Sequence, residues 1–91
     1  MSKKSIIQLS EFDINQKIIE AMSNVCTRSV LFSVKNESKD VPTIAEELKI
    51  SISTVYKTLS NLEELALAEV DKYVITPDGK KIKLYRSRIG K

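Results

Sequence analysis

A stretch in the middle of the chain carries short polar side chains and little charge. Hydroxyls, an amide, a phenol and one ammonium group suit contacts to phosphates and base edges, whereas a solvated helix face is usually rich in Glu and Lys. The side chains of this kind are those of Ser51, Ser53, Thr54, Tyr56, Lys57, Ser60 and Asn61. Their types therefore indicate a surface that binds nucleic acid by hydrogen bonding.

A second group of candidate binding residues is basic and lies nearer the C-terminus. Lys80, Lys81 and Lys83 belong to a segment that has six Lys and Arg residues from position 80 onward and no acidic residue. Residues 1–50 carry seven basic and seven acidic side chains, whereas residues 51–91 carry eight and five, so the second half holds the formal net charge of +3. Such a field steers a polyanion, and the three lysines are expected to contact phosphates. The alternative is a solvated basic hairpin.

The residue types argue against catalysis and against a metal site. The chain has no His and a single Cys, Cys26, so it cannot combine a nucleophile with a histidine base or build a zinc site from Cys and His. A single Cys also excludes an intramolecular disulfide, which is consistent with a reducing cytoplasm. We expect no catalytic residue, no cofactor and no metal. For Cys26, a role in redox sensing is the minor alternative to a buried small apolar side chain.

Two consecutive helices are expected to position the polar stretch. The first covers residues 43–48, where Ile44, Ala45 and Leu48 recur on one helical face. Asp40 can cap the N-terminus of this helix, and the proline that follows is tolerated in the first turn. The helix is therefore expected to pack one apolar face against the rest of the domain.

The second helix follows after a tight corner. Ser51 is its natural N-cap. The apolar residues that are expected to face the core recur at offsets of 0, 3, 7 and 10 and are Ile52, Val55, Leu59 and Leu62. The polar residues take the remaining directions and are expected to face outward.

The two helices and their corner resemble the helix-turn-helix of winged-helix transcription regulators of the ArsR-like and MarR-like prokaryotic type, which includes archaeal proteins. Residues 44–62 match the pattern Leu-Ala-x-x-Leu-Gly-Ile-Ser-x-Ser-Thr-Val-Tyr-x-x-Leu-x-x-Leu and depart from it at Lys49, where the family often has Gly. A lysine with a left-handed backbone at this corner costs on the order of 1 kcal/mol. The resemblance implies that the second helix reads DNA.

The N-terminal part of the chain is expected to form a flexible arm and a first helix. Residues 1–10 contain too few apolar residues to define an element, whereas Asp13 and Gln16 form a capping-box pair before a helix over residues 14–22. The residues expected to be buried on this helix are Ile14, Ile18, Ile19 and Met22. Regulators that resemble this chain are often homodimers, so the arm and the first helix are the expected pairing surfaces. The apolar residues concerned are Ile6, Ile7, Leu9 and Phe12, which could instead cover the core of the monomer.

Length and composition favour one compact domain over residues 11–91. The chain has 91 residues, 42% of them hydrophobic, which is enough to fold without disulfide or metal crosslinks. Another helix is expected between the N-terminal helix and the helix-turn-helix, over residues 26–35, with Val30, Leu31 and Val34 facing inward. No apolar run approaches the roughly 18 residues of a membrane span or the core of a secretory signal, so we expect a cytoplasmic protein.

A β-hairpin is expected over residues 68–86. Thr76-Pro77-Asp78-Gly79 has the residue types of a turn. The segment that follows it alternates, which places Tyr85 on the same strand face as two of the lysines and opposite the apolar residues. Val41 is expected to pair with this hairpin as a short strand.

The expected fold is mainly α with a small β-hairpin, a winged helix-turn-helix of three or four helices and a two- to three-stranded wing. The resemblance implies a transcriptional regulator that binds double-stranded DNA sequence-specifically, with residues 52–65 in the major groove and the wing on phosphates or the minor groove. For Tyr56 two interpretations stay open, a phenol that donates to a phosphate and a half-buried ring under the wing. The alternative function is a winged-helix module that docks onto the transcription machinery without reading DNA.

Overall fold

Four helices followed by one hairpin make up the computed structural model, which describes residues 5–89 and, for side chains, residues 13–89. The two strands pair with each other in an antiparallel sheet. No helix in this described part of the chain is long and apolar enough to cross a membrane. The arrangement is a winged helix-turn-helix and confirms the predicted fold class. The elements are α1 (Ser5–Ser23), α2 (Val25–Ser33), α3 (Val41–Leu48), α4 (Ile52–Glu64), β1 (Ala68–Ile75) and β2 (Lys81–Ser87).

The core lies where α2, α3, α4 and the base of the hairpin meet. Burial of each large aliphatic side chain in such a core contributes roughly 1.5–3 kcal/mol. The residues of α2, α3 and α4 that were expected to face inward are buried, except Leu48, which is partly buried, and Ile52, which is exposed. The principal members are Val30, Leu31, Val34, Ile44, Ala45, Val55, Leu59 and Leu62.

Side-chain caps fix where the helices of the helix-turn-helix begin. Asp40 Oδ1 accepts a hydrogen bond of 3.0 Å from the Thr43 amide at the start of α3. Ser51 Oγ accepts one of 3.2 Å from the Thr54 amide at the start of α4. Between these helices Lys49 adopts the left-handed conformation, with φ 60° and ψ 41°. Both predicted caps and the predicted backbone of the corner are therefore confirmed.

The first helix departs from the prediction in its start and in its burial. α1 begins at Ser5 and runs through residues that we assigned to the N-terminal arm, so Asp13 lies inside the helix and pairs with Lys17 at 3.6 Å instead of capping it. Ile14 and Ile19 are 53% and 62% exposed, and the predicted burial is wrong for both. In the described part of the chain α1 packs mainly against α2, which leaves Ile14 and Ile19 outside the core. Ile18 and Met22 are partly buried. The side chains of Ile6, Ile7, Leu9 and Phe12 lie outside the described residues.

The hairpin forms as predicted but meets the core in a different way. Its turn places Gly79 at φ 86°, a conformation that glycine adopts without strain. Tyr85 shares a strand face with Lys81 and Lys83 but is only 4% exposed, because the end of β2 packs on the core while its beginning projects into solvent. The loop residue that pairs with the hairpin is Lys39, whereas Val41 is the first residue of α3.

Candidate nucleic-acid interface

The outward surface of α4 is polar because its apolar residues point the other way. At about 100° per residue, Ser53, Lys57 and Ser60 lie opposite the buried row of α4, and all three are exposed. Lys57 is the only basic residue of α4 and lies near the centre of this surface. The helix therefore presents an ammonium group flanked by hydroxyls.

The first turn of α4 is held by a cluster of three hydroxyl groups. Ser51 Oγ lies 2.7 Å from Thr54 Oγ1 and 3.3 Å from Ser53 Oγ, in addition to accepting from the Thr54 amide. Ser51 is thus engaged as the cap, which limits what it can offer a ligand. Ser53 and Thr54 are exposed and keep acceptor and donor positions directed outward.

Tyr56 of α4 lies at a cleft between α4 and the wing. It lines a cleft of roughly 260 Å³ that also contains Lys81, Lys83 and the buried Tyr85. The Tyr56 side chain is 56% exposed, so it combines features of both interpretations that the sequence left open. Burial, together with the nearby Glu63 and the other tyrosines, raises the pKa of Tyr85 above its ordinary value.

The wing presents Lys80, Lys81 and Lys83 from a turn and the strand that follows it. Thr76 builds the turn, because its amide donates to the Lys80 carbonyl at 2.8 Å and its hydroxyl accepts from the Lys80 amide at 3.0 Å. Lys81 Nζ lies 4.3 Å from the centre of the Tyr73 ring, a cation–π contact that restrains this ammonium group. Lys80, Lys81 and Lys83 are all exposed. The structure therefore gathers two of these lysines with Tyr56 at the cleft and leaves Lys80 at the turn.

Neither Asn61 nor Ile52 lines the cleft that contains Tyr56. Asn61 is exposed but lines a groove with Ile14 and Lys17 of α1, away from the cleft that contains Tyr56. Ile52 was expected in the core and is 50% exposed. Its position at the very start of α4 explains this exposure, because the first turn extends past the buried row formed by Val55, Leu59 and Leu62.

Lys39 is a positioning residue that sequence analysis missed. Its backbone exchanges two hydrogen bonds with Tyr85 of the wing, of 3.1 and 2.8 Å. Its ammonium group lies 2.7 Å from Glu47 of α3 and 3.4 Å from the Ser33 hydroxyl of α2. This hydrogen bond from Lys39 lowers the pKa of the Glu47 carboxyl. Lys39 lies in a loop, where no periodicity marks it, so only the folded chain reveals that it links the wing to the helices.

Cys26 lies in an apolar environment and is partly buried. It lines a small pocket with Val25, Ser29, Leu48 and Ile50. In the described part of the chain, no cluster of three or more His, Cys, Asp or Glu side chains could hold a metal ion.

Comparison with known proteins identified solved structures with a similar fold and low sequence identity. No protein-family model and no curated protein matches the chain. NolR from Sinorhizobium fredii superposes with a TM-score of 0.72 at 24% identity over 97% of this chain and 79% of that chain. An ArsR-like transcriptional regulator from Rhodococcus sp. RHA1 gives 0.65 at 18% identity over 86% of this chain and 68% of its own.

Another solved structure with a similar fold is described by its architecture. It is the homodimeric winged helix-turn-helix DNA-binding domain Mb0332 from Mycobacterium bovis, described as a possible ArsR-family transcriptional regulator. The TM-score is 0.69 at 18% identity, and the match covers 96% of this chain and 72% of that chain. At these identities the likeness concerns the fold, and this chain has the winged helix-turn-helix fold.

Proposed function

We propose that the chain is an ArsR-like transcriptional regulator that binds double-stranded DNA, with α4 in the major groove and the wing on phosphates or in the adjacent minor groove. One observation carries the proposal: the polar surface of α4 and the basic strand of the wing meet at one cleft, where Tyr56 lies beside Lys81 and Lys83. A helix and a hairpin arranged in this way can follow a groove and its neighbouring backbone together.

The side chains of α4 supply the contacts that would read sequence. Lys57 can donate to a guanine edge or to a phosphate, and Ser53 and Thr54 can bond to either partner. All three are exposed and lie in the first half of the helix, the part that meets base edges in helix-turn-helix complexes. Asn61 and Ser60 lie further along α4, where a contact to an adenine edge requires a deeply seated helix.

The wing supplies affinity rather than sequence choice. Lys80, Lys81 and Lys83 are exposed cations on a turn and a strand that project from the body of the molecule. Contacts of this kind neutralise phosphates and release counterions, so they make binding depend on salt. The Tyr56 phenol lies at the cleft, where it could donate a hydrogen bond to a phosphate of the same DNA backbone.

We also propose that the chain acts as a homodimer that pairs through α1 and its neighbourhood. Ile14 and Ile19 of α1 and Val25 and Phe32 of α2 are between 53% and 72% exposed. Large apolar side chains that remain exposed in this number favour a protein partner, and the Mycobacterium bovis domain is homodimeric. Two copies would place two recognition helices on successive half-sites. A partner from the transcription machinery at these residues is the competing interpretation.

The proposal is tested by titrating a fluorescent random-sequence duplex with the protein at several salt concentrations. The wild type should bind with a log–log salt slope of about −0.9 for each phosphate contact. The double variant Lys80→Ala, Lys81→Ala should bind more weakly and lose roughly 1.8 from the slope, because two contacts are removed. The charge-matched control is Lys17→Ala, Lys35→Ala, which removes two exposed cations from α1 and the C-terminal side of α2.

The two double variants separate a specific surface from a general attraction. Equal losses in both would show that only net charge matters, and absence of binding at low salt would contradict DNA binding itself. The single variant Lys57→Ala then reports on α4 alone. It should weaken binding and lower the slope by up to about 0.9.

A further inference from the structure

Ile52 is an exposed apolar side chain in the part of the chain that faces DNA in the proposed complex. It is 50% exposed and belongs neither to the core nor to the partly buried residues that pack on it. Every other non-aromatic large apolar residue of α4 is buried. The core therefore does not account for an isoleucine at this position.

The position of Ile52 in the helix determines what it can touch. Ser51 caps α4, so Ile52 is the first helical residue, next to the exposed Ser53 and one turn before Tyr56. The first turn of a recognition helix contacts base edges in the major groove. Ile52 is also about 13 Å along the helix from Asn61, which borders the groove of α1, so it is not continuous with the apolar residues of α1.

We propose that Ile52 is a specificity-determining residue that contacts the C5 methyl group of thymine in the major groove. This methyl group is the apolar group that base pairs present there, and apolar side chains are the ones that recognise it. A β-branched side chain has few rotamers in a helix, so Ile52 loses little conformational freedom on contact. The inference rests on the proposed function and adds a base preference to it, namely thymine opposite the first turn of α4.

The test uses a duplex that the wild-type protein selects from a randomised library. Each thymine in the selected duplex is replaced in turn by deoxyuridine, which removes only the methyl group. At one or two positions the wild type should bind about fourfold more weakly, as expected for one buried methyl-sized group. The variant Ile52→Ala should bind thymine and uracil at those positions equally, whereas Ile52→Val should keep most of the preference.

A control variant checks that the effect is specific to Ile52, and the test can fail in two ways that are distinguishable. Ile89→Ala removes another exposed aliphatic side chain, which follows β2 and is 42% exposed, and should leave the thymine-to-uracil ratio unchanged. A wild type that is indifferent to every substitution, or an Ile52→Ala variant that keeps the full preference, would overturn the role of Ile52 while leaving DNA binding intact. If no duplex is selected and no salt-dependent binding occurs, the proposed function fails, and the inference fails with it.

Discussion

The helix-turn-helix with its wing and the α1 helix differ in what lies behind their exposed residues. Behind the polar surface of α4 are Val55, Leu59 and Leu62, each at most 1% exposed. On α1, by contrast, Ile14 and Ile19 are themselves at the surface. The apolar row of α4 is covered by the same chain, whereas Ile14 and Ile19 of α1 are not covered by the described part of the chain. We therefore propose DNA as the partner of the first region and a protein as the partner of the second.

The largest expected difference between the regions concerns stability. Leu62→Ala should lower the free energy of unfolding by about 2–5 kcal/mol, because it removes a fully buried side chain and leaves a cavity. Ile19→Ala, made at a concentration where the protein is monomeric, should change it by no more than about 0.5 kcal/mol. Urea denaturation monitored by circular dichroism would measure both changes in the free energy of unfolding. A large loss for Ile19→Ala would mean that α1 belongs to the monomer core after all.

Substitutions on α1, which should change stability little, should have a large effect on dimerisation. The double variant Ile14→Asp, Ile19→Asp places two charges among the exposed apolar residues of α1 and should weaken dimerisation at least about tenfold without unfolding the chain. Sedimentation equilibrium measures the change, with Lys17→Ala on the same helix as the control. Unchanged association would exclude α1 as the pairing surface, and a monomeric wild type would exclude the dimer.

The sequence correctly predicts which apolar residues are buried in most of the helix-turn-helix, but it mispredicts burial in α1. Local signals such as the Asp40 and Ser51 caps and the spacing of Val55, Leu59 and Leu62 depend on residues close in the chain, and the structure confirms them. The apolar spacing of α1 is equally clear, but spacing cannot tell whether an apolar face meets the same chain or another one. The prediction that Ile14 and Ile19 are buried failed because these two side chains lie outside the core of the described chain.

In the candidate site, too, local sequence patterns predict the exposure of some residues but not of those whose surroundings depend on tertiary packing. Exposure of Ser53, Thr54, Tyr56 and Lys57 follows from the helical period alone. The burial of Tyr85 and the contacts of Lys39 depend on where the hairpin meets the helices, residues far apart in sequence, so no local pattern contains them. Exposure of Ile52 depends on where the first turn of α4 lies relative to the core. These are properties of tertiary packing.

The corner between α3 and α4 offers a smaller effect within the well-defined region. Lys49→Gly should raise the free energy of unfolding by about 1 kcal/mol, because glycine adopts the left-handed conformation of this residue without a steric penalty. Glu46→Gly, in the helical backbone of α3, should instead lower it by about 1 kcal/mol. Thermal and urea unfolding measure both. Destabilisation by Lys49→Gly would show that the lysine side chain makes a contact that outweighs the backbone strain.

The smallest effect is expected for the link between Lys39 and Glu47. Because the pKa of Glu47 is lower in the folded chain than its ordinary value, ionised Glu47 stabilises the fold above that value. This contribution should disappear as the pH falls through the pKa of the folded state. Glu47→Gln should remove that part of the acid dependence, and Glu46→Gln should not. Measurements of unfolding free energy against pH compare the two, and an identical pH dependence in wild type and Glu47→Gln would contradict the role of this pair.

The division of the molecule into two regions is tested most directly by NMR. Amide shifts of ¹⁵N-labelled protein are recorded while a selected duplex is added. We predict that the amides that shift belong to residues 51–60 and 80–83, while those of residues 14–32 stay nearly unchanged. Shifts confined to α1 and α2, with α4 and the wing unaffected, would contradict the assignment of DNA to the helix-turn-helix and its wing.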